Sequence, residues 1–304
     1  MLRLLVKLAV FTLFILIESQ SGLALDKIPV CVSIAPQKYF VQQIGKDLVD
    51  VQVMVAPGAS PHTYEPKPRQ MVELTKTGVY FAIGVAFETV WLKKIAAANP
   101  KMKIVHTDHG IPKISMARHH HLDEPDGLHQ ETEHDEGRLK LQGTPDPHIW
   151  LAPPLVMIQA RAILDALQAV DPAHSSAYEA NYNAFMAEIV ALDLELKSSL
   201  AGKRGSQFMV FHPAWGYFAH TYGLEQVPVE VEGKAPKPAQ LQGLIEHARE
   251  KGITVIFVQP QFSTKSAALI AKEIHGQVVF ADPMAEDWQT NLRHVARKFK
   301  AALK

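Results

Sequence analysis

Three histidines stand apart in a chain that holds 15 of them. His62 lies in Pro57-Gly58-Ala59-Ser60-Pro61-His62-Thr63-Tyr64-Glu65-Pro66. His148 lies in Asp146-Pro147-His148-Ile149-Trp150-Leu151, and His212 in Val210-Phe211-His212-Pro213-Ala214-Trp215. Each follows a strand-like segment and sits beside a proline. Asp282, in Phe280-Ala281-Asp282-Pro283, occupies the same kind of position. Three imidazoles and one carboxylate make a tetrahedral nitrogen and oxygen set. It suits Zn²⁺, and Mn²⁺ less well. Spacing alone does not select this set, because a histidine next to proline also serves as a surface or capping residue. What would bring the four together is an α/β sheet, in which ligands bind outside the carboxyl ends of strands.

The pattern of elements supplies such sheets. Short apolar runs at Pro29–Ile34, Val49–Val55, Val79–Val85 and Lys103–His106 alternate with helical stretches at 37–45, 68–77 and 87–98. The alternation restarts after residue 203. Strands are expected at 207–211, 227–231, 253–259 and 278–281, and helices at 214–222, 238–251, 264–275 and 286–302. Such alternation predicts α/β lobes with mainly parallel sheets. Between them, Tyr178, Tyr182, Phe185, Ile189, Leu192, Leu196 and Leu200 form one apolar stripe with no Gly or Pro from 173 to 201. That predicts a single helix of about 40 Å. The expected division is an N-terminal lobe over 25–171, a linking backbone helix over 172–202 and a C-terminal lobe over 203–304.

Residues 116–145 interrupt the first lobe. They carry His119, His120, His121, His129 and His134 among seven acids, with almost no large apolar residues. The segment is expected to be a solvated loop that captures divalent metal weakly. It is not expected to be the main site, because ordering it costs chain entropy.

The first residues have another purpose. Arg3 and Lys7 precede the apolar run Leu8–Ile17, and small residues follow at Gly22 and Ala24. This is the layout of a secretory signal, expected to be cleaved after Ala24. The run is short of the ~20 residues a membrane span requires. Cys31, the only cysteine, lies in an apolar run and is expected inside a strand. One cysteine excludes a disulfide framework and a CxxC zinc site. Lys+Arg and Asp+Glu both number 31, which argues against a nucleic-acid partner.

The motifs PGASPHTYEP (57–66), DPHIWL (146–151), FHPAWGYFAHTYGL (211–224), EVEGKAPKPAQL (230–241) and FVQPQFS (257–263) with ADP (281–283) occur in one order along the chain. With the helix at 177–196 they resemble the cluster A-I, or TroA-like, solute-binding proteins of zinc and manganese ABC importers. The similarity is greatest to the ZnuA-like zinc branch. The resemblance implies two lobes on one rigid helix, with the metal in the cleft between them. It implies ligands at His62, His148, His212 and Asp282, with Glu65 or water as substitutes for the last. Manganese members often carry Glu at the third position, so His212 favours zinc. The resemblance further implies an exported, periplasmic, non-enzymatic monomer that passes Zn²⁺ to a membrane permease. Alternatives are a manganese or iron member of the same family, an adhesin, or a zinc hydrolase. The hydrolase would need a general base such as Glu65 or Glu232, and the chain holds neither HExxH nor GxSxG. With ordinary imidazole pKa values near ~6.5, zinc affinity is expected to fall steeply between about pH 7 and pH 5.

Overall fold

A computed structural model describes residues 27–116, 144–230 and 234–303. The signal segment 1–24 and the histidines at 119, 120, 121, 129 and 134 lie outside the described residues, as does Glu232. Strands β1 (Ile28–Val32), β2 (Val49–Val53), β3 (Val79–Ala82) and β4 (Lys103–His106) form a sheet in the order β2-β1-β3-β4. Strands β5 (Gln207–Val210), β6 (Glu225–Pro228), β7 (Val255–Val258) and β8 (Gln277–Phe280) form a second, in the order β6-β5-β7-β8. Every strand pair is parallel. The chain is therefore a two-lobe α/β protein, as its alternating pattern predicts.

Composition explains the strand order. β3 (VYFA) and β7 (VIFV) are buried throughout and read as unbroken apolar runs, as interior parallel strands must. The edge strand β2 (VDVQV) alternates instead. Cys31 is buried within β1.

Nine helices connect and cover the sheets among the described residues. They are α1 (Ala35–Gly45), α2 (Pro68–Leu74), α3 (Ala86–Ala98), α4 (Pro153–Val170), α5 (Ser175–Ser199), α6 (Gly216–Tyr222), α7 (Pro238–Glu250), α8 (Lys265–Glu273) and α9 (Trp288–Ala302). Prolines begin α2, α4 and α7, where the missing N–H costs nothing. The long helix α5 starts after a 3₁₀ turn at Pro172–His174, slightly inside the expected 172–202. Tyr178, Phe185, Ile189, Leu192 and Leu196 are its buried face.

α5 does not link the lobes alone. It packs on α1 and α4 of the first lobe and on α9 of the second. The sequence reading assigned no element to α4. The last helix reaches back across the boundary: Trp288 sits edge-on to Phe40 at 5.1 Å, and Gln289 accepts a hydrogen bond from the Tyr39 hydroxyl at 3.0 Å. The Trp150 indole donates to the Pro283 carbonyl at 2.7 Å, and the Trp288 indole donates to the Trp150 carbonyl at 2.6 Å. One continuous apolar core therefore runs through both lobes, with a smaller cluster under α7 and α8.

Candidate metal centre

Each histidine singled out in the sequence stands on a separately fixed segment. His62 is in the connection from β2 to α2. Gln70 pins that connection at both ends: its amide nitrogen donates to the Met54 carbonyl at 2.8 Å, and its oxygen accepts from the Tyr64 hydroxyl at 2.6 Å. Gly58, at φ 79°, makes the bend that a Cβ would strain. The Ser60 hydroxyl accepts from the His62 N–H at 3.3 Å.

His148 follows an antiparallel bridge between Ser115 and Pro145. The Asp146 N–H donates to the Ile114 carbonyl at 2.9 Å, and the Tyr217 hydroxyl donates to the Asp146 carbonyl at 3.0 Å. Beyond His148 the chain turns through buried Ile149, Trp150 and Leu151 into α4. The Trp150 ring lies 5.1 Å from the His148 ring.

His212 follows β5, next to the point where the strand order reverses. Its backbone is held by Gln259, at the end of β7. The Gln259 oxygen accepts from the His212 N–H at 3.2 Å, and its nitrogen donates to the His212 carbonyl at 2.6 Å. The Phe262 ring stacks on the imidazole at 4.8 Å. Trp215 is fully buried beside this segment.

These three segments bring the rings together. His62 Nε2 and His212 Nε2 are 3.1 Å apart, and one ligand nitrogen from each of the three histidines lies within 4.8 Å of the others. Tetrahedral zinc with Zn–N bonds near ~2.05 Å needs neighbouring nitrogens about 3.3 Å apart. Small ring movements reach that spacing. Both buried rings are turned by carboxylates. His148 Nδ1 is 2.7 Å from Asp146 Oδ1, and His212 Nδ1 is 2.7 Å from Glu230 Oε1. Their remaining nitrogens face the cluster.

At His62 and His212 the environment favours the uncharged ring, the form that binds metal. Protein crowded around the His62 ring removes part of its solvation, and this, then the neighbouring His212 and His148 rings, lower its pKa to about 3, although the residue as a whole keeps its solvent exposure. His212 is also lowered, chiefly by burial and in spite of Glu230.

Asp282 is not brought into this group. Its Oδ1 accepts from Gln261 Nε2 at 3.0 Å and from the Met284 N–H at 2.9 Å. The carboxylate thus braces the turn leading into α9. Glu65 is exposed and likewise outside the group. Among the described residues, the clustered metal donors are three imidazoles.

Asp146, Glu230 and Gln259 were quoted within motifs but given no role by sequence reasoning. Two signals were available. Asp146 stands two residues before a histidine with proline between, and Glu230 falls just beyond a strand, as His212 does.

A family model described as zinc-uptake complex component A, periplasmic (ZnuA), matches residues 30–302. The chain belongs to this family. A solved structure titled crystal structure of ZnuA is 42% identical, with a TM-score of 0.81 over 91% of this chain and 99% of that one. The high-affinity zinc uptake system protein ZnuA of Paracoccus denitrificans is 31% identical over 79% of this chain and 77% of its own length. The zinc-binding lipoprotein AdcA of Streptococcus pneumoniae serotype 4 is 27% identical over 86% of this chain. The chain spans about half the length of that relative, 51%. The two-lobe fold and the identity with ZnuA place the chain among solute-binding transport proteins.

Proposed function

We propose that this ZnuA-family chain captures Zn²⁺ outside the cytoplasmic membrane and hands it to the permease of an ABC importer. His62, His148 and His212 are the proposed ligands, with the fourth position left to water. The observation that carries this reading is the convergence of three imidazoles, two of them turned by buried carboxylates toward the third. Imidazole donors suit Zn²⁺, whereas Mn²⁺ favours oxygen donors and higher coordination. No carboxylate joins the donor group among the described residues, which supports zinc over manganese. A hydrolase needs a base beside the metal-bound water, and Glu65 is outside the group. The proposed role is that of a carrier, taken to be a monomer exported on residues 1–24.

The test is metal analysis of protein purified without added zinc. About one tightly held zinc per chain, displaced by chelator and restored by titration, is the expected result. Mn²⁺ binding as tightly as Zn²⁺, or turnover of ester substrates by the zinc form, would refute it.

A further inference from the structure

Donor atoms decide which metals fit a site, and the groups behind the donors decide how they are aimed and what charge the site tolerates. Resting on the three-histidine reading above, we propose that Asp146 and Glu230 are positioning residues. They fix the Nε2 faces of His148 and His212 toward the ion, and they make the site select a divalent over a monovalent cation.

The aiming follows from hydrogen-bond chemistry. A carboxylate only accepts, so the ring nitrogen 2.7 Å from it carries the proton. The opposite nitrogen then holds the lone pair. An unassisted neutral imidazole divides between two tautomers, only one of which presents Nε2 to metal. His62 has no carboxylate partner among the described residues, so this device belongs to the two buried rings.

The selectivity follows from burial and charge. Asp146 is 1% exposed and Glu230 is 5% exposed. Among the described residues, the ion-pair partner of each is its histidine alone, with no lysine or arginine. Each also keeps one buried oxygen, Asp146 Oδ2 and Glu230 Oε2, with no hydrogen-bond partner among them. Buried carboxylates ordinarily use their acceptors or sit against a cation. Here two negative charges stand behind neutral rings and are uncompensated until a cation reaches the cluster. A dication balances both, and a monocation balances one. Three imidazoles alone would make no such distinction, since imidazole suits copper as well as zinc. The packing is built around the charge: a Cβ at Gly216 would come within 2.6 Å of Asp146 Oδ2.

The experiment compares Asp146→Asn and Glu230→Gln in the full chain. Both replacements keep an acceptor for the ring N–H and lose the charge. Zn²⁺ affinity is measured against a chromophoric chelator, and Cu⁺ affinity anaerobically against a Cu⁺-specific one. Each substitution is expected to lower Zn²⁺ affinity about 10–100-fold, the usual effect of losing a partner behind a ligand. Cu⁺ affinity should fall at least several-fold less. Glu230→Asp, which keeps the charge, should restore much of the ratio. A general loss of shape would weaken both ions by the same factor, so equal losses, or an unchanged Zn²⁺ affinity, overturn the proposal. Asp146 also braces the His148 backbone, and if its variant does not fold, Glu230→Gln decides alone. His212→Ala is the control: if it keeps wild-type zinc affinity, the ligand assignment itself fails, and this is distinguishable from a fault in the carboxylate argument.

Discussion

Truncating each proposed ligand to alanine should separate zinc binding from folding stability, and the structure says by how much. All three variants should lose zinc. Losing a partner behind a ligand costs ~10–100-fold, so losing the ligand costs at least that, or about 1.4–2.8 kcal/mol. Stability of the metal-free chain should differ among them. His212→Ala removes the partner of Glu230 Oε1, while Oε2 has none among the described residues, so among them a carboxylate at 5% exposure is left unsatisfied. A stranded buried charge costs up to ~3–5 kcal/mol, but the space left by the ring admits water, which brings the expectation to about 2–3 kcal/mol. His148→Ala leaves Asp146 Oδ1 still accepting from the backbone N–H of residue 148 at 2.9 Å. Its cost should be about 1–2 kcal/mol. His62 is exposed and strands no carboxylate, so His62→Ala should change stability by less than about 0.5 kcal/mol. Urea unfolding of chelator-treated protein, followed by circular dichroism, gives the three values, and competition titration gives the affinities. If His62→Ala destabilises as much as His212→Ala, the reasoning from stranded carboxylates is wrong.

Four other outcomes are expected. Trp150→Phe strands the Pro283 carbonyl that the indole reaches at 2.7 Å and should cost about 2–4 kcal/mol by urea unfolding, with native far-ultraviolet dichroism retained. Because His62 is lowered to about 3 while an unfolded imidazole titrates near ~6.5, the unfolded chain takes up protons first as pH falls. The metal-free protein should thus keep this contribution above pH ~6.5 and lose it from there toward pH 3, with a flatter profile for His62→Gln. Protons compete with zinc for the imidazole ligands, so zinc affinity is expected to fall between about pH 7 and pH 5, as competition titration at pH 7, 6 and 5 will show. Deleting residues 119–136 should keep one tight zinc and abolish weaker equivalents in calorimetric titration. The flanking Met116 N–H to Thr144 carbonyl bond, 2.9 Å, ties the base of the segment together. Loss of the tight ion would place that segment in the primary site.

Much of the scaffold was legible because parallel strands and amphipathic helices write their periods into the sequence. Val79–Ala82 and Val255–Val258 are apolar without interruption, and each became an interior strand. The stripe from Tyr178 to Leu196 became α5. What could not be read was the grip between lobes. Nothing in the spacing of Trp150, Pro283 and Trp288 reveals that two indoles bond in series across the boundary. The site divides in the same way. His62, His148 and His212 could be picked out because each stands beside a proline after a strand-like stretch, although His148 in fact follows an isolated bridge and not a strand. Asp282 satisfies that rule too, yet its carboxylate meets Gln261 and Met284, because the rule locates a loop end and not the direction of a side chain. Glu230 follows β6 with no proline beside it, yet turns toward a ring, which only the pairing of β5 with β6 determines.

The clasp of Gln259 on His212 ties the site to the completion of the fold. His212 is seated only when β7 lies beside β5, and its ring is turned only when β6 has delivered Glu230. His62 and His148 come from the N-terminal lobe. A partly folded chain therefore holds scattered imidazoles but no coordination shell. The ion cannot template an early stage, and its occupancy certifies that both lobes have closed on each other. By linkage, whatever free energy zinc contributes is withdrawn from every opened form at once. Bound cargo should make two lobes unfold as one cooperative body and shield linkers and sheets alike from proteases.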